Sequence, residues 1–206
     1  MIDMGKRSLT PMILLMTFLV IFSVSFAGCT TQAPPASPLP GNNLSAIEPS
    51  QMVFASSDIP ANFTLVEKAE RNVSEMRAWA VDHGWKKGYY AVYLKNDPSQ
   101  PGTVFEQIIS VYPAENITLI IPDTMGAYKN WTIQETSANL SYEVLPVPGI
   151  GDSSSALKIT DNGDNSLWYL ITFVKKDVYQ EIHTNGTAAD YETLRKLADI
   201  AAAKIT

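Results

Sequence analysis

Residues 154–184 read SSALKITDNGDNSLWYLITFVKKDVYQEIHT, and this stretch decides the fold class. It contains three runs rich in β-branched and aromatic residues, which favour strands, at 154–160, 167–175 and 178–184. In the first gap, Asn162-Gly163 predicts a hairpin with a type I′ turn, whose two central residues need positive φ. Lys176 and Asp177 fill the second gap as another tight turn. Strands joined by turns this short pair antiparallel.

A helical pattern follows the third strand and runs to the end of the chain. Thr187 is the predicted N-cap, with Asp190 three residues further on as its partner. Apolar residues then recur at the helical period, at Tyr191, Leu194, Ala198, Ala201 and Ile205. We therefore expect a C-terminal helix that packs this stripe against the sheet.

Upstream of residue 154, further strands alternate with helices. The predicted strands cover 63–70, 85–95 and 103–112, with a short one at 142–145. A helix is expected after Asn72, which forms a capping box with Glu75, and Gly84 should end that helix. Residues 114–129 fit either a helix or a buried strand, and Pro122 interrupts both patterns; a helix is favoured.

These elements predict an α+β domain. Neighbouring strands are joined by short turns and no βαβ rhythm recurs, so the economical solution is a largely antiparallel sheet flanked by helices. No repeat and no second linker interrupts 44–206, which is therefore predicted to be one domain. The chain has a single cysteine, so this domain must be stable through its core without an internal disulfide.

Three short segments carry a resemblance to a known family. They read DIPANF at 58–63, GIGDS at 149–153 and KKDV at 175–178. These segments are similar to parts of small exported lipoproteins with a Mog1/PsbP-like fold. The resemblance implies an α/β/α sandwich around an antiparallel sheet. It implies a binding or assembly role and transfers no catalytic residue.

The N-terminus has the pattern of an export leader. Lys6 and Arg7 precede the uncharged stretch PMILLMTFLVIFSVSFA at 11–27. The leader ends in FAGC at 26–29, which resembles the lipobox of prokaryotic lipoproteins. In a lipobox, small residues precede a cysteine that becomes the lipidated first residue. The resemblance implies that Cys29 is the lipidation site.

Residues 1–28 are thus either a signal peptide or a membrane anchor. Residues 9–28 are uncharged and have about the 20-residue length that spans a bilayer, so an uncleaved helix is one alternative and simple secretion is another. A lipid anchor and an uncleaved helix both place everything after Cys29 outside the cell. Residues 29–43 comprise that cysteine and a Pro-rich spacer, which we expect to be a disordered linker. The membrane is therefore the first expected partner.

Asparagine sequons support the outside location. Seven Asn-x-Ser/Thr triplets occur, at Asn43, Asn62, Asn72, Asn116, Asn130, Asn139 and Asn185. With 11 asparagines and 33 serines or threonines, only about two would arise by chance. The excess predicts glycosylation, although a chain simply rich in these residue types is an alternative. A prokaryotic lipobox combined with dense sequons suggests an archaeal surface protein.

The sequence contains few residues suited to catalysis. The formal net charge of −6 argues against nucleic acid as a partner. His83 and His183 are the only histidines, and we expect each to be structural or solvated. The histidines and the lone cysteine lack the spacing of a metal site, so neither a metal nor a cofactor is expected. The protein is accordingly predicted not to be an enzyme.

An aromatic cluster is the most interesting functional signal. Five aromatic residues fall within fifteen positions: Trp79, Trp85, Tyr89, Tyr90 and Tyr93. If Tyr90 faces the core, Tyr89 and Tyr93 face the other way on the same strand. These two tyrosines either lie under a helix or form an exposed surface that binds sugar or protein.

Three functions remain open from the sequence alone. The first is a membrane-anchored binding domain that faces outside and contacts an envelope protein, a glycan or another ligand. The second is a structural component of the cell surface. The third is a surface hydrolase that uses carboxylates, which would need two buried acids with raised pKa values.

Overall fold

A seven-stranded antiparallel sheet forms the centre of the protein in a computed structural model that describes residues 48–95, 102–135, 139–186 and 189–206. The strands, in chain order, are β1 Phe63–Arg71, β2 Lys87–Lys95, β3 Val104–Val111, β4 Leu140–Val144, β5 Ser153–Asp161, β6 Leu167–Lys175 and β7 Val178–Gly186. Their order across the sheet is β1-β2-β3-β7-β6-β5-β4. The sheet is thus two meanders, β1 to β3 and β4 to β7, that meet where β3 pairs with β7.

The described helices complete a three-layer sandwich. They are α1 Ala78–Asp82, α2 Ile120–Gln134 and α3 Tyr191–Ala203. Three short 3₁₀ segments accompany them, at Pro49–Met52, Val73–Glu75 and Ile117–Leu119. Helix α2 connects the two meanders, and α3 follows the last strand. The predicted fold class, an antiparallel sheet flanked by helices, is confirmed. The leader and the Pro-rich spacer lie outside the described residues.

One face of the sheet packs against α3 and against residues 48–62, which we call the N-terminal segment. The predicted stripe of α3 is buried here, with Tyr191 partly buried at its start. Met52 and Phe54 of the N-terminal segment fill the same core and contact β2 and β3 side chains such as Tyr93 and Phe105. Apolar residues of one helical stripe thus meet alternate residues of the strands, as an amphipathic layer requires.

The opposite face packs against α1 and α2. Its core joins the apolar side of α2 to alternate residues of the central and far strands, among them Ile120, Ile121, Met125, Leu157, Leu170 and Tyr179. Trp131 of α2 lies edge-on to Trp168 of β6, with ring centroids 6.0 Å apart. The predicted helix near 114–129 is therefore present and extends to Gln134. Pro122 is its third residue, in the first turn, where no intrahelical N–H donor is required.

The helix predicted after Asn72 is shorter than expected. Glu75 accepts a hydrogen bond from the Asn72 N–H at 2.9 Å, as the capping box predicts, but only one 3₁₀ turn follows. The backbone returns to extended angles at Met76, and α1 then has just five residues. Gly84, with φ of +80°, ends α1 as predicted.

The turn between β5 and β6 differs from the predicted type I′ hairpin. Neither Asn162 nor Gly163 has positive φ; Asn165 does, at 63°. The reason is local side-chain bonding. Asp161 accepts a hydrogen bond from the Gly163 N–H at 2.8 Å, and Asp164 accepts one from the Ser166 N–H. These Asx-type bonds stabilise a five-residue loop, 162–166, in place of the two-residue turn.

The N-cap of α3 is Asp190 and not Thr187, which lies outside the described residues. The Asp190 carboxylate accepts hydrogen bonds from the N–H groups of Glu192 and Thr193. The tight turn at Lys176 and Asp177 is present as predicted, because Lys175 pairs with Val178 across it.

Candidate functional site: a cleft beside Trp85

The two tyrosines of the predicted binding surface lie in different environments. Tyr93 is only 1% exposed and packs between Phe54 and Phe105, so it cannot form a surface. The N-terminal segment covers it, where the sequence suggested a helix as the cover. Tyr89 is half-buried and lines a cleft of about 350 Å³. The expectation of an accessible aromatic surface is therefore wrong for Tyr93, whereas Tyr89 remains available.

The cleft beside Tyr89, which we call the Trp85 cleft, lies where β1 ends and β2 begins. Charged and aromatic side chains line it, including Glu48, Glu70, Arg71, Trp85, Lys86, Lys87 and Tyr89. Lys87 donates to Glu48 at 2.9 Å, which fixes the start of the N-terminal segment at the rim. Asn72, a sequon residue, also lines this cleft. Aromatic and charged residues thus line this end of the sheet from both faces, with Tyr89 and Glu70 on the α3 face and Arg71 and the Trp85 indole on the α2 face.

Local backbone geometry positions Trp85 in this cleft. Its indole Nε1–H donates to the Ser110 hydroxyl of β3 at 3.2 Å. Gly88 leaves room for the ring, because a Cβ there would lie 3.1 Å from the Trp85 ring and 2.8 Å from the Ile109 carbonyl oxygen. The ring is therefore held against the sheet by one hydrogen bond and by the missing side chain of Gly88.

A second cleft lies at the other end of β2. It has a volume of about 370 Å³, and Tyr93 lines it together with mostly apolar residues such as Phe54, Ile59, Phe63 and Leu65. Few of its side chains carry a charge or a strong hydrogen-bonding group. It is therefore chemically less specific than the Trp85 cleft.

A partly buried ionic cluster crosses the junction of the two meanders on the α2 face. His183 Nε2 lies 3.1 Å from Glu106 Oε2, and its Nδ1 lies 3.6 Å from Glu181 Oε1. Glu181 also accepts hydrogen bonds from the hydroxyls of Tyr128, at 2.5 Å, and Tyr179, at 2.9 Å. We call these five residues the His183 cluster.

The cluster holds its groups in charged forms. Burial alone would lower the pKa of His183, but the carboxylates of Glu106 and Glu181 raise it to about 10. Burial would raise the pKa of Glu181, yet the contact with the His183 imidazolium and the hydrogen bonds from the two tyrosines lower it. Burial and the nearby Glu181 charge keep the pKa values of Tyr128 and Tyr179 well above 10.

The pKa values of this cluster are unsuited to acid–base catalysis near neutral pH. A general base must be unprotonated and a general acid protonated, with pKa values near the working pH. With its pKa raised to about 10, His183 is too weak an acid near neutral pH, and the lowered pKa of Glu181 makes that carboxylate too weak a base. The cluster is instead suited to a structural role, since it connects α2 to the two central strands.

The other histidine also has a carboxylate partner. His83 Nε2 lies 2.6 Å from Asp123 Oδ2 of α2, at the exposed rim of the sheet. This pair links the C-terminal end of α1 to α2. Within the described ranges, no three side chains of His, Cys, Asp or Glu converge in a way that could hold a metal ion.

The sequon asparagines that the structure describes are all accessible. Asn62, Asn72, Asn130 and Asn139 are exposed, while Asn116 and Asn185 are half-buried. The Asn116 side-chain amide donates to the His83 carbonyl oxygen at 3.1 Å. Cys29 and Asn43 lie outside the described residues. Over the described part of the chain, no helix is both long and apolar enough to span a bilayer.

Sequence reasoning included Trp85 in the aromatic cluster but missed the cations around it. Arg71 ends β1, whereas Lys86 precedes β2 and Lys87 begins it, so only the β1–β2 pairing brings them together. The His183 cluster was also missed, although the sequence contains a signal for it. Tyr179, Glu181 and His183 alternate along one strand, which places them on one face.

The fold is similar to that of a solved extracellular domain. The crystal structure of the extracellular domain of PknH from Mycobacterium tuberculosis matches with a TM-score of 0.59 and 10% sequence identity. The match covers 76% of this chain and 93% of that one. No protein-family model matches the chain, and no curated protein matches it either. At this identity the likeness concerns the fold alone.

Proposed function

We propose that this protein is a membrane-anchored domain that faces outside the cell and binds an envelope component without catalysing a reaction. One observation carries the proposal: the chain behind the leader has the fold of a domain that is extracellular in another protein. The leader, with FAGC at 26–29, supplies the route across the membrane and an anchor at Cys29.

Two features of the described residues support binding over the alternatives. The Trp85 cleft is a concave site with aromatic and charged groups, which a purely structural surface component does not need. The charge state of the His183 cluster disfavours the carboxylate hydrolase, because Glu181 has a lowered pKa where that hydrolase needs a raised one.

We further propose the finer assignments that the sequence suggested. The three-layer sandwich is the arrangement that the Mog1/PsbP-like resemblance implies, and a prokaryotic lipoprotein is the class that the lipobox implies. The exposed sequon asparagines support an archaeal glycoprotein.

Peptide mapping by mass spectrometry tests the glycosylation of these asparagines. We expect the lowest glycan occupancy at Asn116, whose amide nitrogen is already hydrogen-bonded. Unmodified asparagines at every sequon would remove the glycoprotein assignment.

The anchoring proposal is tested with Cys29→Ser in the native host, with Ser23→Ala in the leader as the matched control. We expect the Cys29 variant to leave the membrane fraction and the control to remain there. Protease added to intact cells should digest the wild-type domain. Crosslinking on intact cells then identifies what is bound.

Retention of the Cys29 variant in membranes would show that an uncleaved helix, and not a lipid, is the anchor. The proposed location outside the cell would be unchanged. A wild-type chain that is found in the cytosol, with Met1 still in place, would overturn the proposal.

A further inference from the structure

We propose that N-glycans on Asn62 and Asn139 block the two edges of the sheet, so that a second copy of this chain cannot pair with them. This inference rests on the proposed outward-facing location and on the proposed glycosylation, and it gives two of the sequons a specific role. It is carried by the position of these sequons at the edge strands and by the apolar residues exposed there.

The sheet is open at both edges. In the described part of the chain, β1 and β4 each have a neighbouring strand on one side only. The outer side of an edge strand presents backbone N–H and C=O groups that form a template for pairing with another chain. An open sheet therefore needs a feature at each edge that keeps separate molecules from joining.

Both edge strands begin with a sequon. Asn62 lies directly before β1, and Thr64, the third residue of its sequon, is the second residue of that strand. Asn139 and Ser141 have the same positions relative to β4. Among the other five strands that the structure describes, none begins with a sequon. These two sequons therefore coincide with the edges of the sheet and not with strand starts in general.

Backbone contacts fix both asparagines beside their strands. The Phe63 N–H donates to the Pro60 carbonyl oxygen at 2.9 Å, which closes a turn that contains Asn62. The Asn139 carbonyl oxygen accepts from the backbone N–H and the side-chain amide of Asn162, at 2.9 and 2.8 Å. Both sequon asparagines are exposed. A glycan on either one is thus attached to an ordered backbone at the edge.

The first halves of the edge strands lack other protection. The residues FTLV at 63–66 and LSY at 140–142 contain no charge, although Val66 is 56% and Tyr142 is 43% exposed. In contrast, the second half of β1 reads EKAER at 67–71 and follows a β-bulge, and both features oppose pairing between edges. Each glycan is therefore next to the part of the edge strand that most favours association.

Pairing of two copies would bring the glycans into conflict. An antiparallel pairing about a two-fold axis places the start of β1 in one copy beside the end of β1 in the other. Asn62 of one copy then lies near Asn72, another sequon residue, of the second copy. Strand β4 is five residues long, about 17 Å, so one bulky glycan at its start is enough to crowd a partner strand.

The test measures self-association of full-length protein made in the native host. Each variant is solubilised in a density-matched detergent and studied by sedimentation equilibrium, after peptide mapping has located the glycans of the wild type. For Asn62→Gln combined with Asn139→Gln, we expect the Kd of self-association to fall at least ten-fold. Thr64→Ala combined with Ser141→Ala removes the same two sequons through other residues and should have the same effect.

Two controls separate the edge glycans from other changes. Thr64→Ser combined with Ser141→Thr alters the same strands but keeps both sequons, so its Kd should match that of the wild type. Asn43→Gln combined with Asn185→Gln removes two sequons that do not begin an edge strand. That variant should also associate no more tightly than the wild type.

Charged substitutions locate the contact. Val66 and Val144 are 56% and 53% exposed, so lysine at these positions does not disturb the core. Adding Val66→Lys and Val144→Lys to the variant without edge glycans should restore the wild-type Kd, since charges on an edge oppose pairing. Hydrogen exchange of the associated variant should slow in peptides from β1 and β4 and remain unchanged in β6.

Several results would overturn the inference. These are an unchanged Kd without the edge glycans, tighter association of either control, or slower exchange confined to other strands. Unmodified Asn62 or Asn139 in a wild type that carries glycans on other sequons would also overturn it. All these results leave anchoring and exposure, which the Cys29 variant tests separately. Only the loss of every glycan would remove the glycoprotein assignment as well.

Discussion

At neutral pH His183 is protonated, whereas an isolated imidazole with a pKa of 6.5 would be mostly neutral. Glu106 and Glu181 lie on either side of it, on the two strands where the meanders meet. Glu181 is the more buried carboxylate, with its side chain 9% exposed, and it depends on His183 and two tyrosine hydroxyls for compensation. Removing the imidazole would leave a buried charge without its counter-ion, which is costly.

We predict that His183→Gln destabilises the protein by about 3–5 kcal/mol, the range for one partner lost from a buried pair. His83→Gln is the matched control, because its partner Asp123 is 46% exposed. That substitution should cost about 1 kcal/mol or less. Urea denaturation at neutral pH measures both variants. Equal losses would show that the His183 cluster is not specially buried.

The same cluster predicts a pH dependence of stability. The pKa of His183 is raised from 6.5 to about 10, so its stabilising contribution is complete below pH 6.5 and is lost as the pH rises through 10. The pKa of Glu181 is lowered from 4.5, so its contribution is present above pH 4.5 and is lost as the pH falls through the lowered value.

Unfolding free energies of the wild type and His183→Gln should therefore converge between pH 6.5 and 10. Denaturation curves at several pH values provide the measurement, and the variant corrects for other groups that titrate in this range. A constant difference across the range would contradict the protonated state of His183.

At the scale of secondary-structure elements, α3 depends on its first turn. Asp190 accepts hydrogen bonds from two backbone N–H groups and from the Thr193 hydroxyl at 2.5 Å. The Thr193 bond is the main reason that the pKa of Asp190 is lowered. Loss of these bonds would leave helix N–H groups without acceptors.

We predict that Asp190→Ala lowers the unfolding free energy by about 1 kcal/mol, with a corresponding fall in Tm. Asp190→Asn should retain most of the stability, since asparagine is nearly as good an N-cap. Thermal denaturation near neutral pH compares the two. An asparagine variant as unstable as the alanine variant would mean that the carboxylate charge, and not the cap, is what matters.

The strands were predictable because their signal is local. Alternating apolar residues and intervening turn residues gave β5, β6 and β7 to within about two residues. The length of α1 was not predictable from its capping signal, because the Asn72–Glu75 bond forms and the backbone is nevertheless extended again at Met76. The predicted turn type at Asn162-Gly163 was wrong because Asp161 and Asp164 accept hydrogen bonds from the N–H groups of Gly163 and Ser166.

The candidate site was less accessible to sequence reasoning. Aromatic density pointed to Tyr89 and Trp85, but alternation along one strand cannot show that Phe54 covers Tyr93. Arg71 reaches the Trp85 cleft only through the pairing of β1 with β2, and pairing registers are not encoded in any short segment. The partners in the His183 cluster lie on β3, α2 and β7, so they meet only in the folded chain.

For the molecule as a whole, the junction of the two meanders is marked by polar contacts on both faces. The His183 cluster lies on the α2 face. On the α3 face, buried Gln107 donates to Gln180 at 2.9 Å and to the Met52 carbonyl oxygen at 3.2 Å. The side-chain Oε1 of Gln107 accepts a hydrogen bond from the Phe54 N–H at 3.1 Å. One side chain thus joins both meanders and the N-terminal segment.

We predict that Gln107→Leu frees the N-terminal segment locally. The buried Phe54 N–H would lose its acceptor, at a cost of about 1–3 kcal/mol. Hydrogen exchange at the Phe54 amide should accelerate by at least ten-fold, while amides in the middle of β6 remain protected. Gln51→Leu, an exposed residue of the same segment, is the control and should change neither. Unchanged exchange at Phe54 would refute the role of Gln107.

The attachment of residues 48–62 has a mechanical consequence for a tethered protein. In a protein anchored at Cys29, as proposed above, a pull along the polypeptide from that end reaches Glu48 before it reaches β1. It meets the Lys87 ion pair first, then the bonds of Gln107 and Lys204 to residues 52–54, and then the Lys204–Asp58 ion pair. These contacts lie in series ahead of the sheet. A force at the cell surface would therefore load the contacts of residues 48–62 before it loads the pairing of the seven strands.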